Sequence, residues 1–172
     1  MGWSGSITTI KYFDYATGFL FKIKEKYNDK VYFKVIGDNS YVNEQLGIHG
    51  IAWSSIDEVF QLSEIDIGIM PLPHDEWTKG KCGLKGLTFM SLSIPVVMSP
   101  IGVNSEIITD GKNGFLADTQ EEWIDKLSLL IESSELRSEI GNQGRNTVIQ
   151  KYSVISQKEK YLKEFNNILN LK

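Results

Sequence analysis

The side chains best suited to chemistry are two lysines and a threonine behind a glycine-containing stretch. Lys81, Lys85 and Thr88 are spaced by four and three residues, so they share one stripe of a helix that begins at about residues 80–83. A helix start presents free N–H groups and a partial positive charge, and two cations beside it are favourable when an anion lies between them. The pattern predicts a phosphate-binding helix start. The alternative, two lysines that solvate an exposed face, stays open.

A second glycine-containing turn lies at the beginning of the chain. Ser4, Gly5 and Ser6 precede a predicted helix, and Lys11 lies in the first turns of that helix. This arrangement predicts another anion cradle, with a plain turn and a surface lysine as the alternative. Trp53 ends a predicted strand, where it can border a planar base or be partly buried in the core.

Strands and helices that alternate along the chain must position these side chains. Residues 65–100 predict a strand, a loop, a helix and a second strand, which together form a parallel unit. In such sheets, ligands bind at the carboxyl ends of the strands. The whole chain predicts one α/β domain with a mostly parallel sheet. The predicted strands are 31–36, 47–53, 65–70, 94–98 and 113–117. The predicted helices are 8–27, 55–62 with a Ser55/Glu58 capping box, the central helix from about 80–83, a turn at 105–108, a helix after a Thr119/Glu122 capping box, 134–151 and 154–169.

Composition excludes several classes of protein. The net charge of the 172 residues is −4 and no basic patch with interleaved aromatic residues appears, which argues against a nucleic-acid partner. The single cysteine, Cys82, excludes an internal disulfide and fits a reducing, cytoplasmic compartment. No apolar run is long enough to span a membrane, and the N-terminus lacks the features of a signal peptide.

Several catalytic motifs are absent from the sequence. There is no GxxxxGK[ST] loop, no GxGxxG after a predicted strand and no GxSxG elbow. His49 and His74 have no cysteine or carboxylate at metal-ligand spacing, so no metal site is expected. Asp75 and Glu76 are able to do acid–base work, but adjacent carboxylates in a polar loop are more often solvated.

The order of the motifs resembles the C-terminal, donor-binding half of group 1 retaining glycosyltransferases with the GT-B fold. The likeness rests on GWSGS at 2–6, DIGIMPL at 66–72, GKCGLK at 80–85, FMSLSIPVVMSP at 89–100, IGVNSEII at 101–108, and the DG and NGFLA that follow. It covers essentially the whole chain. It implies a three-layer, Rossmann-like domain that binds a nucleotide-diphosphate sugar and needs no metal ion or other cofactor.

The resemblance also implies roles for particular residues. Fixed cations stabilise the charge that builds on a leaving diphosphate, and Lys11 and Lys85 are the residues expected to do so catalytically. Lys11 stands in for an arginine that the family often carries. Backbone amides at the central helix start would bind phosphate or sugar. The expected binding residues are Ser4, Gly5, Ser6, Trp53, Lys81, Cys82, Gly83, Leu84 and Thr88.

Two departures from the family pattern concern the donor contacts and the domain content. Many relatives carry two glutamates separated by seven residues, and these positions are Gly80 and Thr88 here. Thr88 can still hydrogen-bond a ribose hydroxyl, more weakly than a carboxylate. The N-terminal acceptor domain of such enzymes is missing, and the helix at 153–172 is expected to pack toward it. We therefore expect a truncated protein or a split gene whose isolated chain binds a donor weakly and transfers nothing.

Three functions follow from this reading of the sequence. The first is the donor-binding half of a hexosyltransferase that acts on a glycan or lipid-linked acceptor in polysaccharide biosynthesis, with peripheral membrane association of the full enzyme left open. The second is a non-catalytic module that binds a nucleotide sugar or docks a partner, which the missing acidic residues favour. The third, a sugar epimerase of the same architecture, is less favoured because no supporting set of carboxylate and histidine appears.

Overall fold

A five-stranded parallel sheet forms the centre of the computed structural model, which describes residues 1–170. The strands of the chain are β1 (Gly2–Ser4), β2 (Lys34–Ile36), β3 (Val42–Asn43), β4 (Ile48–His49), β5 (Gly68–Met70), β6 (Val96–Met98) and β7 (Phe115–Leu116). The central sheet has the order β2-β1-β5-β6-β7, while β3 and β4 form a separate antiparallel pair.

Helices alternate with these strands along the chain. They are α1 (Ile10–Asp14), α2 (Thr17–Tyr27), α3 (Glu58–Ser63), α4 (Glu76–Lys79), α5 (Leu84–Ser91), α6 (Asn104–Ile107), α7 (Gln120–Glu132), α8 (Ser134–Lys151) and α9 (Val154–Asn170). Turns of 3-10 helix lie at Ile7–Thr9 and Asn28–Lys30.

Apolar side chains on both faces of the sheet produce three layers. Successive strand residues point to opposite faces, so Trp3 and Ile69 join one buried cluster while Ile36 and Met98 join another. The first cluster includes side chains of α2 and α7, and the second includes side chains of α3 and α5. The predicted α/β class and mostly parallel sheet are therefore confirmed.

The strand order creates a crevice at the carboxyl edge of the sheet. From β1 the chain moves outward to β2, and after β5 it moves in the other direction through β6 to β7. The loops that follow β1 and β5 therefore diverge, and an open α/β sheet binds its ligands at such a switch point.

One predicted strand differs from the structure. The predicted strand 47–53 is wrong, because only Ile48–His49 is a strand, and it pairs with Val42–Asn43 outside the central sheet. Ile51 makes a single bridge to Ile36, after which the chain leaves the sheet. A sequence pattern identifies extended apolar residues without identifying the strand to which they pair.

Two helix predictions need correction and one capping box is confirmed. The predicted helix 8–27 is divided, and Thr17 donates its hydroxyl hydrogen to the Asp14 carbonyl at the break (2.8 Å). The predicted cap at 55–58 is wrong, since α3 begins at Glu58 after Asp57. The Thr119 hydroxyl accepts from the Glu122 N–H (3.2 Å), as the capping box requires.

The apolar stripe of α9 lies on the surface and consists of Leu162, Phe165, Ile168 and Leu169. Phe165 is 61% exposed and Leu162 is 51% exposed, and the rest of the stripe is similarly accessible. Helices with a buried stripe, such as α7, place it in the core of this domain. Leu171 and Lys172, which end the predicted segment 153–172, lie outside the described residues.

Candidate functional site

A cleft of about 610 Å³ opens at the carboxyl edge of the sheet, where β1 and β2 end. Its walls come from the turn after β1, the loop after β2, the segment before α3, α3 itself and the first turns of α5. The lining residues are Ser4, Gly5, Ser6, Ile7, Thr8, Gly37, Asn39, Ala52, Trp53, Glu58, Leu62, Leu84, Lys85, Thr88 and Phe89. The volume lies in the range of small-molecule binding sites.

The turn after β1 forms one wall through a close approach of two backbones. A Cβ on Gly5 would lie 1.9 Å from the Trp3 ring, and a Cβ on Gly37 would lie 2.4 Å from the Gly5 carbonyl oxygen. Gly37 also has a φ of +129°, a backbone conformation that favours glycine. These two glycines bring the loops after β1 and β2 together beneath the cleft.

The hydrogen bonds of this turn use two of its backbone N–H groups. The Gly5 N–H donates to the Ile36 carbonyl (2.9 Å), and the Ser6 N–H donates to the Thr9 hydroxyl (2.9 Å). The Ser6 and Thr8 hydroxyls lie 3.0 Å apart on the exposed side. The turn therefore offers hydroxyl groups to the cleft, while the Gly5 and Ser6 amides already have partners.

The start of α5 forms the facing wall and depends on a left-handed glycine. Gly83 has a φ of +70°, and a Cβ there would lie 2.4 Å from Cδ1 of Ile107. The first N–H groups of a helix have no partner within the helix, so this start can donate to an anion. Leu84, Lys85 and Thr88 line the cleft from α5. The Thr88 hydroxyl donates to the Leu84 carbonyl (2.8 Å), which leaves its oxygen free only as an acceptor.

Lys85 is the cation of the cleft. Its ammonium lies 5.6 Å from the centre of the Trp3 ring, and the residue is half-buried. Burial, followed by the charge of Lys81, lowers the pKa of Lys85 below its usual value, and Cys82 acts in the opposite direction. An anion in the cleft would offset both unfavourable effects.

The other predicted cations lie beside the cleft rather than in its lining. The Lys11 and Lys81 ammonium groups lie 5.3 and 5.2 Å from the centre of the Tyr12 ring. Lys81, Lys85 and Tyr12 line a second, smaller depression of about 30 Å³. Its other lining residues are Trp3, Thr9, Met70, Pro71 and Leu72.

Seven of the predicted site residues line the cleft, and four do not. Those in the lining are Ser4, Gly5, Ser6, Trp53, Leu84, Lys85 and Thr88. Outside it are Lys11, Lys81, Cys82 and Gly83, whose assigned roles stay predictions. Trp53 is 50% exposed, so the alternative of a core tryptophan is wrong.

Glu58 is the charged lining residue that the sequence did not assign to the site. Its spacing from Ser55 indicated a capping box, which α3 does not form. The signal available in the sequence was a carboxylate five residues after Trp53, at the beginning of a helix. Asn39, Thr8 and Ala52 were also missed, because loop residues join a site only through the fold.

The carboxylates of the loop after β5 have local partners. The Asp75 carboxylate accepts from the Thr78 N–H (2.7 Å), and this hydrogen bond lowers the pKa of Asp75. Glu76 pairs with Lys79, and His74 contacts Asp118 at 2.6 Å. Asp75 is thus a helix cap. Across residues 1–170, no three histidine, cysteine or acidic side chains form a metal-ligand group, and no helix is long and apolar enough to cross a membrane.

Comparison with known proteins points to one family. The family model described as glycosyl transferases group 1 matches residues 1–133. A poly(ribitol-phosphate) alpha-N-acetylglucosaminyltransferase from Staphylococcus aureus is 35% identical over 88 residues, which is 49% of this chain and 18% of that protein. The chain thus spans only part of this curated relative.

Solved structures share the fold. The C-terminal domain of LpcC from Francisella tularensis is 24% identical with a TM-score of 0.66, covering 89% of this chain and 86% of that one. S. aureus TarM, determined with UDP, is 23% identical with a TM-score of 0.75, covering 96% and 35%. Anabaena HepE, also determined with UDP, is 18% identical with a TM-score of 0.71, covering 96% and 48%.

Proposed function

This chain belongs to the group 1 glycosyltransferases, and we propose that its cleft binds the nucleoside diphosphate of a sugar donor. The observation that carries the proposal is the half-buried Lys85 at the start of α5, inside a cleft of about 610 Å³. A cation at an exposed helix start suits a diphosphate. TarM and HepE were determined with UDP, so UDP is the first nucleotide to test.

The groups around the cleft suggest how such a donor would lie. The diphosphate is placed against Lys85, the N–H groups that begin α5, and the Ser6 and Thr8 hydroxyls. The base is placed against the exposed Trp53 ring, since an aromatic ring stacks on a planar base. Thr88 is an acceptor for a ribose hydroxyl. Lys81 and Lys11 add positive charge from outside the cleft lining.

In the intact enzyme these groups would lower the barrier to sugar transfer. The bond between the anomeric carbon and the diphosphate oxygen breaks, and its electron pair goes to that oxygen. The acceptor oxygen bonds to the anomeric carbon, and the acceptor proton leaves to a base or to the departing phosphate. Lys85 and the α5 N–H groups stabilise the charge on the diphosphate as it forms. We propose that they do so without a metal ion.

The complete reaction is proposed to need a second domain. The exposed stripe of α9 is suited to pack on an acceptor-binding domain, and the chain spans 35–48% of the TarM and HepE chains. With that domain, the enzyme would transfer a hexose to a glycan or lipid-linked acceptor in polysaccharide biosynthesis on the cytoplasmic side. We expect the isolated chain to bind the donor weakly and to transfer nothing.

A non-catalytic nucleotide-sugar module is the second candidate. Gly80 and Thr88 stand where many relatives carry acidic residues, and this observation favours a site that binds without reacting. The two candidates share the same cleft, so binding alone does not separate them. Sugar transfer by the chain combined with an acceptor domain would exclude the module.

A titration of the chain with UDP, GDP and ADP tests the shared premise. We expect saturable binding of UDP at micromolar to millimolar concentration, measured by calorimetry or by chemical-shift changes of Trp53 and the α5 amides. Absence of binding of all three nucleotides at 10 mM would contradict the proposal for this chain.

A further inference from the structure

Glu58 is a half-buried residue of the cleft whose carboxylate has no partner among residues 1–170. It begins α3 and lies in the cleft lining with Trp53 and Thr88. No ion pair joins it to another described residue. Two other glutamates in the first turn of a helix do have partners: Glu122 completes a capping box, and Glu76 pairs with Lys79. The accepting capacity of Glu58 is therefore available to a ligand.

The charges of the cleft divide it into two chemical environments. Among the described lining residues, the charged side chains are Glu58 on α3 and Lys85 on α5. A diphosphate is attracted to Lys85 and repelled by Glu58. A nucleotide that fills the cleft thus presents its phosphates to α5 and a group with hydrogen-bond donors to Glu58.

The ribose of a nucleotide is the group that fits. Its adjacent 2′ and 3′ hydroxyls present two O–H donors, and one carboxylate accepts both through charge-assisted hydrogen bonds. On α5, Thr88 has an oxygen that can accept one such bond. We propose that Glu58, from α3, supplies the carboxylate that binds the ribose hydroxyls of the donor. This inference rests on the proposed donor site.

Glu58 and the preceding Asp57 lie at the start of α3, and of the two only Glu58 lines the cleft. An acidic side chain in the first turn of a helix interacts favourably with the partial positive charge there. Glu58 occupies that turn in α3, and its neighbour Asp57 precedes the helix on the exposed surface. Asp57 carries the same charge one residue away, without lining the cleft. It therefore provides a matched control.

The experiment compares two nucleotides and two variants of this chain. UDP and 2′,3′-dideoxy-UDP, which lacks both ribose hydroxyls, are titrated into the wild type, Glu58→Gln and Asp57→Asn. Glu58→Gln is expected to weaken UDP binding about tenfold, because one charged acceptor is lost. Its effect on dideoxy-UDP is expected to be less than twofold, and Asp57→Asn should bind both nucleotides as the wild type does.

The outcomes separate this inference from the donor site on which it depends. If the wild type binds UDP and Glu58→Gln binds it equally well, the assignment of Glu58 is wrong and the donor site stands. An equal loss for UDP and dideoxy-UDP also overturns the assignment, because the effect then does not pass through the ribose hydroxyls. A wild type that binds no UDP removes the donor site itself, and the Glu58 assignment with it. Thermal unfolding of each variant verifies that the fold is retained.

Discussion

The turn after β1 and the start of α5 both contain glycine and both predict an anion cradle, but they differ in their free donors. In the turn, the Gly5 and Ser6 N–H groups are already paired with Ile36 and Thr9. At α5, a left-handed Gly83 precedes a helix whose first N–H groups have no partner in the helix. Similar composition therefore yields a hydroxyl surface at one wall and an amide and ammonium surface at the other.

Replacement of Lys85 tests this difference most strongly. Lys85→Ala removes the cation of the α5 wall and is expected to weaken UDP binding about 10- to 100-fold, since hydrogen bonds to charged groups contribute about 1.5–3 kcal/mol. Lys11→Ala removes an exposed cation outside the lining and is expected to change affinity less than about twofold. Calorimetric titration measures both. An equal loss for the two variants would place the diphosphate nearer the turn after β1.

Substitution of Gly83 tests whether the α5 wall depends on its backbone. Gly83→Ala forces a Cβ against Ile107 at a φ of +70°, and we expect the free energy of unfolding to fall by about 1–3 kcal/mol. Gly80→Ala is the matched control, because Gly80 has a φ of −82° and its nearest neighbouring atom lies 3.5 Å from a Cβ. Urea unfolding of both variants compares them. Equal stability would show that the left-handed turn is not required.

Removal of the Lys85 charge should stabilise the nucleotide-free chain. Burial and Lys81 lower the pKa of Lys85 in the folded chain, so above that pKa the unfolded chain binds more protons than the folded chain does. The free energy of unfolding therefore increases as the pH rises from the lowered pKa of Lys85 toward the ordinary lysine value. Lys85→Met removes this dependence and is expected to raise the unfolding temperature at pH 7 by up to about 3 °C. The advantage should shrink at pH 10. Lys112→Met, at an exposed loop lysine, is the control for the loss of a surface charge.

A hydroxyl of the turn after β1 is expected to contribute least. Thr8→Ala removes one neutral donor and should weaken UDP binding about two- to fivefold, because a neutral hydrogen bond contributes about 0.5–1 kcal/mol. Thr109→Ala, at an exposed threonine outside the cleft lining, serves as the control and should bind as the wild type does. A loss as large as that of Lys85→Ala would reverse the ranking of the two walls.

The sequence predicted those features whose residues lie close together along the chain, on one helix or within one turn. Lys85, Leu84 and Thr88 follow one another on a single helix, so their shared face could be predicted from spacing alone. The Thr119 and Glu122 capping box was predictable for the same reason, because both partners lie within one turn. The parallel α/β class followed from the alternation of apolar strands and amphipathic helices.

The sequence was a poor guide where partners are distant along the chain. The number of free N–H groups after β1 depends on Ile36, which reaches Gly5 only through the pairing of β1 with β2. Lys11 follows Ser6 of that turn by only five residues along the chain, and it still lies outside the cleft lining. The prediction of a strand at 47–53 was wrong for the same reason, since strand pairing depends on residues that are distant along the chain.

What the sequence by itself determined is the set of elements and the chemistry that each can carry, because periodicity and helix-start geometry are local. What only the tertiary structure decided is which of these groups meet. Glu58 on α3 and Lys85 on α5 are 27 residues apart, and they line one cleft because Leu62 and Phe89 pack in the same buried cluster. Packing across the sheet therefore selects the members of the site from candidates that spacing alone cannot rank.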